Sequence, residues 1–253
     1  MEKRVSLMDN YNAIRWTVEA GLYTVPQLVI GMPGECPETI KETADFLSYV
    51  LTLDRSQNPK SVSINFAQAL PGTPLYEYGR SEGLIGATIE DEEQYLLSVS
   101  NRNAGDGTTT INFTDYPRLM LLSYPRFIKS IVNYRYVNKF GVDHYYKMVF
   151  REYKRPGILH VLKNKSISDI FYLYPTLVYK LRRLLWIVKF IEIIKTNGFI
   201  FAAGLFREYL RFIMYKLRGK RFLFEYRSLR KTIDQNSNAY TGNKEMVMLR
   251  KGR

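Results

Sequence analysis

Val25-Pro26-Gln27-Leu28-Val29-Ile30-Gly31-Met32-Pro33-Gly34-Glu35 and, further along, Val62-Ser63-Ile64-Asn65-Phe66-Ala67-Gln68-Ala69-Leu70-Pro71-Gly72-Thr73-Pro74-Leu75-Tyr76-Glu77 decide the fold. Each is an apolar run that stops at a Pro-Gly turn, and each turn leads into a helix. Two consecutive strand–turn–helix units predict parallel strands whose C-terminal ends present their loops on one face. That is the face on which α/β folds hold ligands. The expected class is α/β.

The neighbouring segments fit this frame. Asp9 is expected to cap a helix running to about Ala20, with Ile14 and Val18 on one face and Gly21 as its stop. Leu22 to Gly31 reads as a buried strand. Pro37 opens the next helix, whose apolar face is Ile40, Ala44, Leu47 and Leu51. Asp54 to Lys60 is a polar loop, and Ser61 to Leu70 reads as the second strand. Pro74 starts a short helix that ends by Gly83, and Thr88 caps an acidic helix beginning at Ile89. Asn101 to Thr110 is rich in Gly, Asn and Thr, which is loop chemistry.

Beyond Thr114 the pattern becomes helical. Helices are expected over Arg118 to Tyr136, with Pro125 as a kink, and over Asp143 to Lys154, ended by Pro156-Gly157. Long helices follow over Ile170 to Lys195, bent at Pro175, and over Phe199 to Leu217. The polar tail from Ser228 is expected to be disordered. Three regions result: residues 1–110, a basic helical region over 111–228, and the tail 229–253.

Composition bounds the function. Hydrophobic residues make up 46% of the 253, which excludes a disordered chain. Residues 1–125 carry 9 Lys/Arg against 16 Asp/Glu; residues 126–253 carry 28 against 8. The balances of −7 and +20 give the net +13 and point to two regions with different partners. The single Cys36 excludes a disulfide framework, fits a reducing compartment, and excludes an iron–sulfur or Cys-rich zinc site made by this chain alone. No secretory signal is expected, because Glu2, Lys3 and Arg4 are not followed by an apolar core. No stretch reaches the ~18 apolar residues of a membrane span.

The two turns have chemical uses. Gly31 and Gly34 let the backbone approach a ligand or take positive φ, and the helix start behind them offers unpaired N–H groups. Val29 and Ile30 point to opposite faces of their strand, so one of them can pack against an aromatic base. Glu35 can cap its helix or hold a ligand hydroxyl. Gln68, Leu70 and Gly72 belong to a strand end whose backbone groups are expected to be free for the edge of a planar heterocycle. The same turns also serve as a tight turn with a capping Glu and as a rigid connector.

Together these segments resemble the second half of a radical S-adenosylmethionine enzyme barrel, most closely the cobalamin-binding branch with its class B methylases and anaerobic magnesium-protoporphyrin ester cyclases. Asn12 to Leu22 resembles the helix before the family's fifth strand. Val29-Ile30-Gly31-Met32-Pro33-Gly34-Glu35, with Thr39-Ile40 and Thr43, resembles the fifth-strand motif, whose apolar residue contacts adenine. Ala69 to Tyr76, with Gly83-Leu84, resembles the sixth-strand segment that cradles the adenine. The resemblance covers about residues 5–90. It implies the last strands of a (β/α) barrel and a partial S-adenosylmethionine site made by Val29, Ile30, Gly31, Gly34, Glu35, Gln68, Leu70 and Gly72.

The departures are equally specific. The family's three cluster-binding cysteines are absent, as are the first four strands and the cobalamin domain, and Gln27 stands where the family often has Gly. The chain therefore reads as a C-terminal piece of a longer protein. Its 4Fe-4S cluster and cobalamin are expected in a missing N-terminal half or companion subunit. No catalytic and no metal-binding residue is assigned here, and the isolated chain is expected to be inactive. A half barrel exposes strand edges, so aggregation or pairing with the missing half is expected.

The basic half matches no catalytic motif. Tyr179 to Trp186 and Arg211 to Phe222 alternate Lys and Arg with large apolar residues, the pattern of an interfacial helix on anionic lipid. A helical domain with a solvated basic face explains it as well; nucleic acid is not favoured, for want of a motif. The expected location is the cytoplasm, with peripheral membrane attachment through this half. The rival to a radical-enzyme fragment is a non-catalytic membrane-surface or partner-binding module on a remnant barrel scaffold. His144, His160 and Cys36 are read as structural.

Overall fold

A computed structural model describes residues 5–86, 88–100, 107, 110–151 and 171–218. Helix α1 spans Leu7–Glu19. Its cap is Ser6, one turn earlier than the sequence suggested. The Ser6 Oγ accepts the Asp9 N–H at 3.1 Å while Asp9 Oδ2 accepts the Ser6 N–H at 2.8 Å. Asp9 is thus the returning arm of a capping box.

Strand β1 (Gln27–Ile30) pairs in parallel with β2 (Ser63–Phe66), matching Gln27 to Ser63 and Ile30 to Phe66. The Ser63 N–H donates to Pro26 O at 3.2 Å and the Ala67 N–H to Ile30 O at 2.8 Å, extending the ladder at both ends. Both strands are shorter than their apolar runs, because only these residues find a partner across the sheet.

Between them lies α2 (Pro37–Leu51), which begins at Pro37, where a missing N–H costs nothing. Ile40, Ala44, Leu47 and Leu51 are all fully buried. Helix α3 (Pro74–Ser81) is capped by Thr73, whose Oγ1 accepts the Tyr76 N–H at 3.3 Å. Helix α4 (Ile89–Ser100) starts behind Thr88, whose Oγ1 accepts the Asp91 N–H at 3.1 Å.

Helix α5 (Arg118–Phe140) is the longest described element and carries Pro125 inside it. It packs on α2 and on the helices that follow. Gly141, at φ 86°, separates it from α6 (Val142–Phe150). The long helix expected over Ile170 to Lys195 is instead broken. Tyr174 leaves helical geometry, α7 (Pro175–Lys180) restarts at the proline, and a 3-10 turn (Arg182–Leu184) leads into α8 (Leu185–Asn197). Proline has no N–H to bond back one turn, so Pro175 starts a helix and does not merely bend one. Helix α9 (Phe199–Leu217) has the limits read from sequence.

The main core joins both halves of the chain. Ile30 and Phe66 from the sheet, the buried stripe of α2, Leu119, Leu122 and Ile128 of α5, and Ile193 and Leu205 of α8 and α9 form one apolar cluster. It takes residues from both sides of residue 110. A second cluster holds Ala69, Tyr76, Ile85 and Phe113 beside the end of β2. A third stacks Tyr136, Tyr145 and Tyr146 with Val149.

The described residues are mainly helical, with two parallel strands. Leu28, Ile30, Ile64 and Phe66 turn one sheet face into the main core. The other face carries exposed Gln27 and Val29 beside part-buried Ser63 and Asn65. Parallel sheets are ordinarily covered on both faces. Here the β1 side of one face is exposed, and no third strand pairs with either edge among the described residues. The Pro156-Gly157 break, His160 and the tail from Ser228 lie outside the described residues.

Candidate functional site

The parallel pairing of β1 and β2 places both strand-end turns at the same end of the sheet, side by side. At the end of β1, Gly31 takes φ 91°, a conformation that penalises any Cβ. Its N–H donates to Glu35 Oε2 at 2.5 Å, and the Glu35 N–H donates to Met32 O at 3.2 Å. The Glu35 side chain therefore clasps its own turn instead of capping α2. Burial pushes the Glu35 carboxyl above its usual range, and the Gly31 N–H opposes that. Gly34, at φ 80°, has open space where a Cβ would stand.

Cys36 occupies the N-cap position of α2, and its N–H donates to Thr39 Oγ1 at 3.0 Å. A hydrogen bond with the Cys36 side chain is the first cause holding Glu38 below the usual carboxylate range. The cysteine is a helix-start residue, as its surroundings suggested.

At the end of β2 one expectation is corrected. The carbonyls of this segment are not free. Ala69 O accepts the Tyr95 hydroxyl at 2.7 Å, and Leu70 O accepts both the Thr73 N–H at 3.1 Å and the Thr73 hydroxyl at 2.6 Å. Helix α4 supplies Tyr95, whose burial pushes its pKa up to about 12 and keeps it a donor. The backbone N–H groups of Gln68 and Leu70 make no hydrogen bond among the described residues. Gly72, at φ 78°, faces open space where a side chain would stand, so the turn is open to approach.

The side chains sort by face. Val29 is 57% exposed on the bare side of the sheet, in register with Asn65. Ile30 is fully buried in the core under α2 and α5, so its side chain does not line this surface. Leu70 is 48% exposed. What the described residues offer here is an exposed Val29 on the sheet, an exposed Leu70 beyond β2, two N–H groups with no hydrogen bond among the described residues, and open space beside Gly34 and Gly72.

Four further residues belong to this region: Asn65, Thr73, Tyr95 and Tyr124. Asn65 Nδ2 donates to Ser63 Oγ at 3.2 Å on the bare face. The Tyr124 hydroxyl is buried with no hydrogen-bond partner among the described residues, and burial foremost, with Tyr116 and Glu35 next, pushes its pKa far up. Thr73 had a sequence signal, the residue before a helix-opening Pro74. Tyr95 and Tyr124 had none, since only tertiary packing brings their helices to the strand ends. His144 lies elsewhere: its Nε2 is 2.9 Å from Arg55 O and its ring stacks near Tyr136, a structural role.

No protein-family model, curated protein or solved structure matches this chain.

Of the three cofactor groups implied by the resemblance, the adenosyl group and the four-iron cluster meet different donors here. The exposed Val29 and Leu70, the Gln68 and Leu70 N–H groups and the open space beside Gly34 and Gly72 are of the kinds an adenosyl group uses. A four-iron cluster does not fit. The chain has one cysteine, and no group of three His, Cys, Asp or Glu is gathered for a metal among the described residues.

Proposed function

We propose that this chain supplies the last two strand–turn–helix corners of a radical S-adenosylmethionine type (β/α) barrel and holds the adenosyl end of that cofactor. The observation that carries the reading is the parallel register of Gln27–Ile30 with Ser63–Phe66. It aligns the two glycine turns and leaves Val29 on a bare sheet face. When bound, the adenosyl cofactor supplies the radical-forming carbon centre; this chain orients its nucleoside. Val29 and Leu70 form the apolar floor for the purine. The Gln68 and Leu70 N–H groups donate to its ring edge, and Glu35 keeps the Gly31 turn in shape.

The cluster, and cobalamin where the reaction uses it, belong in this reading to a companion polypeptide that completes the sheet. The implied reaction class is methyl transfer or other radical chemistry on an apolar substrate, in the cytoplasm. The chain alone is inactive in this reading. A second reading, a membrane-surface module, is favoured by an exposed apolar ridge on α7 and α8, taken up below.

Equilibrium dialysis with S-adenosylmethionine tests the first reading. The chain is expected to retain the ligand in the millimolar range, and Val29→Glu to weaken retention at least ten-fold while leaving the circular-dichroism spectrum unchanged. Absence of retention by the unaltered chain, or equal retention by the variant, would overturn it.

A further inference from the structure

Helices α7 to α9 carry a surface that the main core does not use. Leu177, Leu181, Leu184 and Ile191 recur at helical spacing along α7, the 3-10 turn and α8, and all are exposed. The buried side of the same stretch is supplied by other residues, Leu185 and Ile193, so the exposed four are a separate stripe. At the tip of the α8–α9 hairpin, just past Gly198, Phe199 is 69% exposed and Ile200 84% exposed. Hydrophobic side chains scattered singly on a surface need no explanation, but an exposed apolar stripe together with an exposed Phe199-Ile200 tip on the same helices does.

The charges beside this stripe have one sign. Lys180, Arg183 and Lys195 are exposed and have no carboxylate partner among the described residues. By contrast, the acidic Glu192 of α8 is neutralised twice, by Arg126 at 2.9 Å and Lys189 at 3.1 Å. The half of the chain that carries the stripe has 28 Lys/Arg against 8 Asp/Glu. No helix among the described residues is long and apolar enough to cross a membrane. An apolar stripe with unpaired cations at its border, on helices too short to span, matches the surface of an anionic bilayer: the side chains enter the acyl boundary and the cations meet the headgroups.

We infer that the α7–α8 stripe and the Phe199-Ile200 tip dock this protein on the surface of an anionic membrane. The proposal is independent of nucleoside binding at the strand ends, which lies on other elements. It places the protein where an apolar substrate dissolved in a bilayer would be met.

Flotation of the full chain on a density gradient tests it. Vesicles of phosphatidylcholine with 30% phosphatidylglycerol are expected to carry the chain upward, and pure phosphatidylcholine vesicles to carry at least ten-fold less. Raised salt reduces the difference by screening. Phe199→Glu with Ile200→Glu is expected to abolish flotation. Lys180→Glu with Arg183→Glu, both fully on the surface, is the second variant and is expected to lower it at least ten-fold. Equal binding to both vesicle types, unchanged binding of both variants, or binding to neither would overturn the proposal. So would self-association that the tip variants remove without any vesicle binding, since the surface would then be a contact between copies of the chain.

Discussion

At the scale of single residues, the most exacting position is Glu208. It projects from α9 to the start of α5, is 9% exposed, and accepts the Arg118 N–H on Oε1 at 2.8 Å. Helix α5 begins at Pro117 with no side-chain cap, so this carboxylate replaces one. The Arg118 guanidinium donates to the carbonyls of Thr110 and Gly107, while Glu208 Oε2 has no hydrogen-bond partner among the described residues. Burial pushes the Glu208 pKa up to about 7, against the Arg118 N–H and guanidinium, which lower it. Its folded-state pKa thus lies above its unfolded value. Folding takes up a proton between those two values, so stability falls as pH rises through that window. Glu208→Gln keeps the acceptor and removes the charge. It is expected to match the unaltered protein near pH 4, and to exceed it by on the order of 2 kcal/mol at pH 8. Urea denaturation at both pH values checks this; an equal difference at the two would contradict it.

At the scale of elements, α5 is the beam between the halves. One of its sides meets α2 and the sheet, and another meets α8 and α9. Ile128 is fully buried within that cluster. Ile128→Ala is expected to lose about 2–5 kcal/mol, the usual range for emptying such a site. The loss is expected in one cooperative transition that melts residues on both sides of position 110. Two separated transitions, one of them unmoved by the substitution, would contradict a shared core.

The same scale shows what could be read from the sequence. The stripe Ile40, Ala44, Leu47 and Leu51 was legible because a single helix face repeats at 3.6 residues and nothing interrupts it. The limits of α9 were legible because Gly198 precedes it and takes φ 86°. The break at Tyr174 was not, since a proline inside an apolar pattern marks either a kink or a start. Strand lengths were not legible either: pairing sets them, and pairing is invisible along one chain. At the candidate site, Gly31, Gly34 and Gly72 announced themselves by residue type. The occupants of the Ala69 and Leu70 carbonyls did not, because Tyr95 arrives from a distant helix and Thr73 only through the local turn.

At the scale of the whole molecule, the parallel pair β1–β2 sets the arrangement. Among the described residues the sheet has two parallel strands, with one face in the main core and Gln27 and Val29 exposed on the other, whereas parallel sheets are ordinarily covered on both faces. The molecule compensates on one side only, with α2 and α5. The bare side and the stripe on α7 and α8 belong to different elements and would serve different partners: one a nucleoside and completing strands, the other a lipid surface. The charge division of the chain, −7 in residues 1–125 and +20 in residues 126–253, follows the same partition.

Amide hydrogen exchange read by mass spectrometry, with and without millimolar S-adenosylmethionine, puts the pair of strand-end turns to the test together. Slowed exchange confined to peptides covering residues 25–36 and 62–73, with α7 to α9 unchanged, is the outcome the account predicts. Exchange unaltered in both turns, or slowed in only one of them, would contradict it.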